Sequence, residues 1–215
     1  MKQHNNNQPS YKVLPQAAIV GIGCFFPRAA NLRRYWRLLY HGVDAITEVP
    51  ESHWSAADYY DLDPDKPDHL SASRGGFLSP VAFDPSEFGI PPNSLEATDS
   101  SQILGLLAAK AALADAGYGL EGKGFDHDRT SVILGVTGTQ ELVIPLGARL
   151  GHPIWRRSLE AAGVDPDTTQ KVIEGIAQAY VPWQENSFPG LLGNVVAGRI
   201  SNPVSYTHLR AHETS

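Results

Sequence analysis

Two short runs of consecutive apolar residues stand out along the chain. Residues 17–24 include Ile19, Val20 and Ile22, and residues 130–136 include Val132 and Ile133; glycines follow or interrupt both runs. Unbroken apolar runs of this length, rich in β-branched residues and bounded by turn residues, are typical of strands buried on both faces. The sequence therefore predicts two buried β-strands, at residues 17–24 and 130–136, each followed by a tight turn.

After the first run, apolar residues recur at the three- and four-residue spacing of an amphipathic helix. Asn31 is placed to cap the N-terminus of this helix, and Gly42 is placed to end it. One face of the predicted helix is apolar and comprises Leu32, Tyr35, Trp36 and Leu39.

Three more helices are predicted further along the chain. The first begins at Thr98 or Asp99 and continues to Ala116, and its many alanines indicate close packing in the middle of a layered fold. Residues 156–162 and residues 165–180 also show helical periods, the second opened by an aspartate and a proline. Strands that alternate with helices predict an α/β fold.

Residues 49–92 show no sustained period and are rich in proline and aspartate. A connection of this length is unusual in a compact domain and indicates a functional or interface role. We expect it to be packed by its aromatic side chains, which are Trp54, Tyr59, Tyr60, Phe77, Phe83 and Phe88.

Composition excludes several classes of protein. The net charge of −6 and the pI near 5.7 give no general attraction for nucleic acid. The single cysteine excludes an internal disulfide and agrees with a reducing, cytoplasmic location. No apolar run approaches the roughly 20 residues of a membrane-spanning helix. Residues 1–16 are expected to form a disordered leader.

The end of the chain differs from the rest. Residues 203–215 have no apolar period and resemble a translated sequencing-library adapter, so we expect them to be a non-native tail. His208 and His212 have the spacing of a zinc-binding pair, but Leu209 stands where the metalloprotease pattern has glutamate. No metal site is therefore predicted.

Other motifs favour structural roles. Gly21 and Gly23 follow a predicted strand, but Phe26 stands where a dinucleotide-binding loop has its third glycine. Cys24 has no basic partner nearby in the sequence, which favours a buried structural thiol over a nucleophile. No G-x-S-x-G pattern of a serine hydrolase occurs.

Basic residues cluster within and before the first predicted helix. A solvated helix face is the simpler interpretation, and a docking patch for an acidic carrier protein is the alternative. The cluster comprises Arg28, Arg33, Arg34 and Arg37, with a second pair at Arg156 and Arg157.

Four stretches, in their order and spacing, resemble the N-terminal half of the ketosynthase domain of type I polyketide synthases. They are residues 19–27, residues 42–50, residues 75–78 with 88–90, and residues 193–202. Residues 88–93 and 99–102 are more similar to the ketosynthases of polyunsaturated fatty acid synthases. The resemblance covers nearly all of residues 17–202 and implies part of an α/β, thiolase-like fold with αβαβα layers.

The resemblance also implies a chemistry. In this family a cysteine at a helix N-terminus takes an acyl chain as a thioester from a phosphopantetheine-linked acyl carrier protein. Two histidines assist decarboxylation of a malonyl thioester, and backbone amides stabilise the oxyanion while the carbon–carbon bond forms. The family places these residues beyond residue 202, so we expect the chain to contain no catalytic residue, to bind no cofactor directly and to be inactive alone.

The resemblance places six residues of this chain at the border of the acyl pocket, near the interface of a homodimer. They are Val136, Thr137, Gly138, Thr139, Phe188 and Asn194. The alternative is that these residues only shape the fold. Because the two halves of a thiolase-like fold pack together, this half is expected to expose apolar surface.

Three functions remain open at this point. The first is part of a ketosynthase that performs a decarboxylative Claisen condensation in fatty acid or polyketide biosynthesis, with an acyl carrier protein as partner. The second is a non-catalytic ketosynthase homologue that acts as a structural or chain-length partner. The third is a free-standing α/β binding domain whose likeness to ketosynthases is coincidental.

Overall fold

The computed structural model of the chain describes residues 17–118, 124–137 and 141–204. The predicted leader lies outside these ranges, as does the predicted tail from residue 205 onward. The described residues form seven α-helices: α1 (Leu32–Tyr40), α2 (Ala56–Tyr59), α3 (Ser100–Asp115), α4 (Val143–Ala161), α5 (Pro166–Gln178), α6 (Ser187–Leu191) and α7 (Gly193–Val204). None of these helices is both long enough and apolar enough to cross a lipid bilayer.

Two short strands form the sheet of the described part of the chain. β1 (Thr47–Glu48) and β2 (Arg74–Gly75) are antiparallel, with Thr47 opposite Gly75 and Glu48 opposite Arg74. An exposed ion pair of 3.3 Å joins Arg74 Nε to Glu48 Oε1. This pairing brings together the two ends of residues 49–73, the first part of the irregular segment predicted at residues 49–92.

The irregular segment contains α2 and two 3₁₀ turns, Pro85–Phe88 and Pro92–Ala97. Phe83 and Phe88 stack with their ring centroids 5.1 Å apart and pack against the hydrophobic core, as expected for aromatic residues in this segment. Tyr59 is 53% exposed, so the expected packing by aromatic side chains does not include it.

The first helix, α1, has the predicted ends. The Asn31 side chain accepts a hydrogen bond from the Arg34 backbone N–H at 3.0 Å, and Gly42 adopts the left-handed conformation with φ of 61°. Its apolar face is largely uncovered, because Trp36 is 65% exposed and Leu39 is 55% exposed. The sequence thus predicted the helix correctly, while the structure leaves much of its apolar face in contact with solvent.

The two predicted buried strands are wrong in both pairing and burial. Residues 17–24 and 130–136 form no ladder with any described segment, and Ile19 and Ile133 are 85% and 89% exposed. A strand requires backbone hydrogen bonds from a neighbouring strand, and no described segment provides them. An apolar composition indicates that a segment tends to be buried, but it does not show whether a neighbouring strand is present to pair with it.

Residues 17–24 instead lie against the backbone of α3. A Cβ atom on Gly23 would lie 2.2 Å from the Ala108 carbonyl oxygen, and one on Gly21 would lie 2.3 Å from the Ala112 carbonyl oxygen. The Ile22 N–H also donates to the Asp115 carboxylate at 2.9 Å. The two glycines therefore allow a close approach of two backbones that any side chain would prevent.

The hydrophobic core lies between α3 and α7. Gly105 on α3 faces Val196 on α7 so closely that a Cβ atom would lie 2.8 Å from Val196 Cγ1. Asp99 caps α3 by accepting a hydrogen bond from the Ser101 N–H, which agrees with the predicted start of this helix. The buried cluster comprises Ile90, Leu106, Val196 and Ile200.

The helices α4 and α5 pack against each other. α5 begins as predicted, because the Asp165 carboxylate accepts from the Thr168 N–H at 3.0 Å. Hydrogen bonds from the Thr168 side chain and backbone lower the pKa of Asp165. α4 begins at Val143, well before the predicted start at residue 156, and continues through Pro153. Proline is normally a helix breaker, which is why the sequence predicted only the second part of α4.

Candidate functional site

The candidate site is an open groove of about 510 Å³ between an extended segment and the start of α7. The extended segment contributes one wall and the first turn of α7 contributes the other. The lining residues are Val132, Ile133, Leu134, Val136, Gly193, Asn194 and Ala197.

The extended wall is held by its contact with the core. Val132 and Val136 are half-buried and pack against the cluster between α3 and α7, while Ile133 points into solvent and is 89% exposed. Gly193 lies against Val136, since a Cβ atom on Gly193 would lie 3.4 Å from Val136 Cγ1. The groove is therefore closed on the core side and open on the side of Ile133.

The second wall is positioned by α6 and by the chain that precedes it. Gln102, fully buried on α3, donates hydrogen bonds from Nε2 to the Pro189 carbonyl at 2.9 Å and to the Gly190 carbonyl at 2.8 Å. Asn186 Nδ2 donates to Ser94 Oγ at 2.7 Å. These contacts fix the end of α6, from which the chain enters α7.

The segment that begins at Glu141 is also bonded to the N-terminal part of α3. The Ser100 N–H, in the first turn of α3, donates to Glu141 Oε2 at 3.1 Å. The next residue, Leu142, is buried, and its Cδ1 would lie 2.8 Å from a Cβ atom on Gly190. The start of α3 thus contacts both segments that lead to the walls of the groove.

Aliphatic or small side chains line most of the groove, but polar atoms make up about half of its accessible surface. Asn194 is the one polar side chain among its described lining residues, and none of these residues is titratable. Nearby on α7, burial lowers the pKa of the Arg199 guanidinium, and its Nε has no hydrogen-bond partner among the described residues. The lining offers apolar contacts to an aliphatic chain without enclosing it, and it provides no nucleophile, acid or base.

The groove brings together two of the six residues predicted to border the acyl pocket. Val136 and Asn194 line opposite walls. Thr137 follows Val136 directly but is exposed and does not line the groove, and Phe188 on α6 is 60% exposed and does not line it either. Gly138 and Thr139 lie outside the described residues.

Sequence reasoning did not single out five of the lining residues, which are Val132, Ile133, Leu134, Gly193 and Ala197. The first three were assigned to the interior of a strand, where their side chains were expected to be covered. Gly193 could have been predicted to line the groove, because it is adjacent to Asn194 in one of the stretches that resemble ketosynthases.

Residues with reactive side chains lie apart in the described chain. Cys24 is a free thiol that is only half-buried, so it is less covered than the buried structural cysteine predicted from the sequence. His41 packs edge-on against Tyr40, and His53 packs against Phe77. Within residues 17–118, 124–137 and 141–204, no three His, Cys, Asp or Glu side chains are grouped to bind a metal ion.

Comparison with known proteins relates the chain to one family. The model of the β-ketoacyl synthase N-terminal domain matches residues 16–207. The chain is 28% identical over 201 residues, 94% of its length, to one polypeptide of the polyunsaturated fatty acid synthase of a Thraustochytrium species. It is 36% identical over 134 residues, 61% of its length, to one polypeptide of the phenolphthiocerol/phthiocerol polyketide synthase of Mycobacterium tuberculosis. It spans 7% of the length of each of these two relatives.

Two solved ketosynthase structures also match part of the chain. An oxazolomycin ketosynthase domain of Streptomyces albus is 38% identical, with a TM-score of 0.44 over 45% of this chain and 17% of that one. The ketosynthase from module 6 of the bacillaene synthase of Bacillus subtilis is 37% identical, with a TM-score of 0.42 over 47% of this chain and 17% of that one.

The family match covers most of the chain, so the third hypothesis, a coincidental likeness, is wrong. The fold class is the predicted one, α/β and thiolase-like, and the chain is part of the N-terminal domain of that fold. By this match the chain belongs to the β-ketoacyl synthase family and is homologous to the ketosynthase domains of polyketide and fatty acid synthases.

Proposed function

We propose that this chain is part of a ketosynthase that performs decarboxylative Claisen condensation of a carrier-bound acyl chain with a malonyl thioester. The observation that carries the proposal is the apolar groove between Val136 and Asn194, in a chain that belongs to this family. The groove holds the acyl chain while it is elongated. The product is a β-ketoacyl thioester of fatty acid or polyketide biosynthesis.

The chemistry of the groove supports a role in holding the substrate. An aliphatic chain gains about 0.8 kcal/mol for each methylene group removed from water, so an apolar lining without charges favours it. Because no lining residue is titratable, the proposed nucleophile and the groups that move protons lie elsewhere in the complete enzyme. The described chain alone is therefore proposed to bind acyl groups without condensing them.

The proposed partners follow from the substrate. The acyl and malonyl groups arrive on the phosphopantetheine arm of acyl carrier proteins, which are acidic. The arginines of α1 offer positive charge for such a partner, although solvation alone also accounts for them. We further propose that the complete enzyme is a cytoplasmic homodimer and that this chain binds no cofactor of its own.

The groove can be tested with an acyl-pantetheine thioester as probe and the purified chain. Ile133 forms the open edge of the groove and is 89% exposed, so Ile133→Asp is expected to place a charge at that edge without disturbing the core. We expect this variant to raise the Kd at least about tenfold, because about two buried methylene groups account for such a change. The measurement is isothermal titration calorimetry.

Ile144→Asp is the matched control, because Ile144 is 64% exposed on α4 and does not line the groove. Its Kd should equal that of the unaltered chain. Equal weakening by both variants, or no binding by the unaltered chain, contradicts the proposed acyl groove.

Catalysis is tested separately in the full-length gene product. We expect it to form a β-ketoacyl thioester from acyl and malonyl carrier proteins, and we expect the chain alone to form none. Neither reaction would instead favour the non-catalytic ketosynthase partner, whereas acyl transfer without condensation would show that the nucleophile works and that only the condensation step fails.

A further inference from the structure

We infer that Gln102 is a positioning residue that holds the α6–α7 wall of the groove in place through its side-chain amide. Gln102 lies on α3, outside the groove, and it acts through Pro189 and Gly190. The role of this wall in acyl binding rests on the proposed function, but its attachment to Gln102 does not.

The geometry of the Gln102 amide is the first argument. The residue is 0% exposed, and its Nε2 donates to two consecutive carbonyl oxygens at 2.9 and 2.8 Å. These contacts join residues 87 and 88 positions apart in the sequence. A buried amide with both donor hydrogens directed at one segment fixes the position of that segment in two directions.

The alternative partners of the two carbonyls are the second argument. The Pro189 carbonyl also accepts from the Leu192 N–H at 3.3 Å, and the Gly190 carbonyl accepts from the Asp99 N–H at 3.4 Å. Both bonds are longer than those from Gln102, so the amide makes the closer contacts. Because these longer bonds remain, loss of the amide should loosen the segment without leaving either carbonyl unpaired in the protein interior.

The acceptor side of the amide is the third argument. Gln102 Oε1 is buried and has no hydrogen-bond partner among the described residues. A buried acceptor without a partner costs stability, and it is avoided by an apolar side chain of similar shape. Packing alone therefore does not explain a glutamine at this position, whereas donation to Pro189 and Gly190 does.

The segment held by Gln102 leads directly to the groove. The chain passes from Gly190 to Gly193 and Asn194, both of which line it. A displacement at Gly190 is transmitted along this short connection to the contact between Gly193 and Val136. Gln102 thereby controls the width of the groove.

The test uses hydrogen–deuterium exchange on the purified chain and compares Gln102→Met with Gln102→Glu. Gln102→Met retains the shape but removes both donors, and we expect exchange in residues 187–194 to be about tenfold faster. Exchange in α5 should not change. Gln170→Met is the matched control, since the exposed Gln170 amide bonds the side chains of exposed Glu174 and half-buried Arg156.

In Gln102→Glu we expect hydrogen exchange in residues 187–194 to depend on pH. A side chain that only fills space would not produce this dependence. Burial and the two facing carbonyl oxygens raise the pKa of a carboxyl group placed here. At about pH 5 the protonated carboxyl donates one hydrogen bond, and exchange in residues 187–194 should be close to that of the unaltered chain. At about pH 8 the carboxylate repels both carbonyls, and exchange normalised for its intrinsic pH dependence should be at least tenfold faster.

Each outcome decides the proposal. Faster exchange confined to residues 187–194 in Gln102→Met, together with the pH dependence of Gln102→Glu, supports it. Unchanged exchange in Gln102→Met shows that the side chain only fills space, and faster exchange throughout α5 shows general unfolding; either result overturns it. Because this readout requires no acyl ligand, it is independent of whether the proposed acyl groove binds its probe.

Discussion

Gly190 shows how much a single residue can determine in this protein. A Cβ atom at this position would lie 1.9 Å from the Ala97 carbonyl oxygen and 2.8 Å from Leu142 Cδ1. Even hydrogen-bonded heavy atoms stay at least about 2.5 Å apart, so the backbone would have to move. The absence of a side chain is what allows α6 to lie against the start of α3.

We therefore expect Gly190→Ala to be strongly destabilising. The free energy of unfolding should fall by about 3 kcal/mol, as for an overpacked core, and urea denaturation followed by circular dichroism measures it. Gly175→Ala on α5 is the control, because nothing lies within 4 Å of its added Cβ atom. That variant should be stabilised by up to about 1 kcal/mol through the higher helix propensity of alanine. A similar effect of both variants would contradict the clash.

The helices α3 and α7 form the element pair on which the described structure depends. Their contact buries Leu106, Val196 and Ile200, and it supports Val136 on the core side of the groove. α3 carries five alanines beside its leucines, and Gly105 lets α7 approach closely. Helix packing here comes from small residues that bring two backbones together, with a few large side chains in contact.

Leu106→Ala tests this packing. Leu106 is 3% exposed, and its truncation should lower the free energy of unfolding by about 3 kcal/mol through lost burial and the cavity that remains. The same change at Leu150 on α4, which is 68% exposed, should alter stability by less than about 0.5 kcal/mol. Differential scanning calorimetry of both variants gives the comparison. If Leu150→Ala were the more damaging, the core would not lie between α3 and α7.

At the scale of the whole molecule, the chain exposes more apolar surface than a small monomer normally does. Ile19 and Ile133 are 85% and 89% exposed, and several large apolar residues of α1 and α4 are more than half exposed. Large apolar side chains exposed in this number favour association where they lie together on the surface. The observation agrees with the expectation that half of a thiolase-like fold would expose apolar surface.

We expect the purified chain to self-associate as its concentration rises. Ile19→Lys combined with Ile133→Lys should shift it toward monomer, because charged side chains oppose burial of this surface. Sedimentation velocity over a concentration series measures the change. Ser71→Lys combined with Gln178→Lys adds the same charge at exposed polar positions and should leave association nearly unchanged. An equal effect of both pairs would show that net charge, and not the apolar surface, governs association.

The sequence by itself determined the family and the capped N-termini of three helices. Asn31, Asp99 and Asp165 were predicted as caps and act as caps, because each bonds a backbone N–H two or three residues further along. The missed first part of α4 shows the limit of such local rules, since Pro153 lies within a helix that is supported by its packing against α5.

Only the tertiary structure decided which segments pair as strands and which residues far apart in the sequence are in contact. The apolar runs at residues 17–24 and 130–136 were predicted as buried strands, but a strand exists only where a second strand pairs with it, and no described segment does so. The pairing of Val136 with Asn194 across the groove, and the contact of Gln102 with Gly190, join residues far apart in the sequence. Periodicity and local hydrogen bonding carry no information about such contacts, because only the packing of α7 and α6 on α3 brings these residues together.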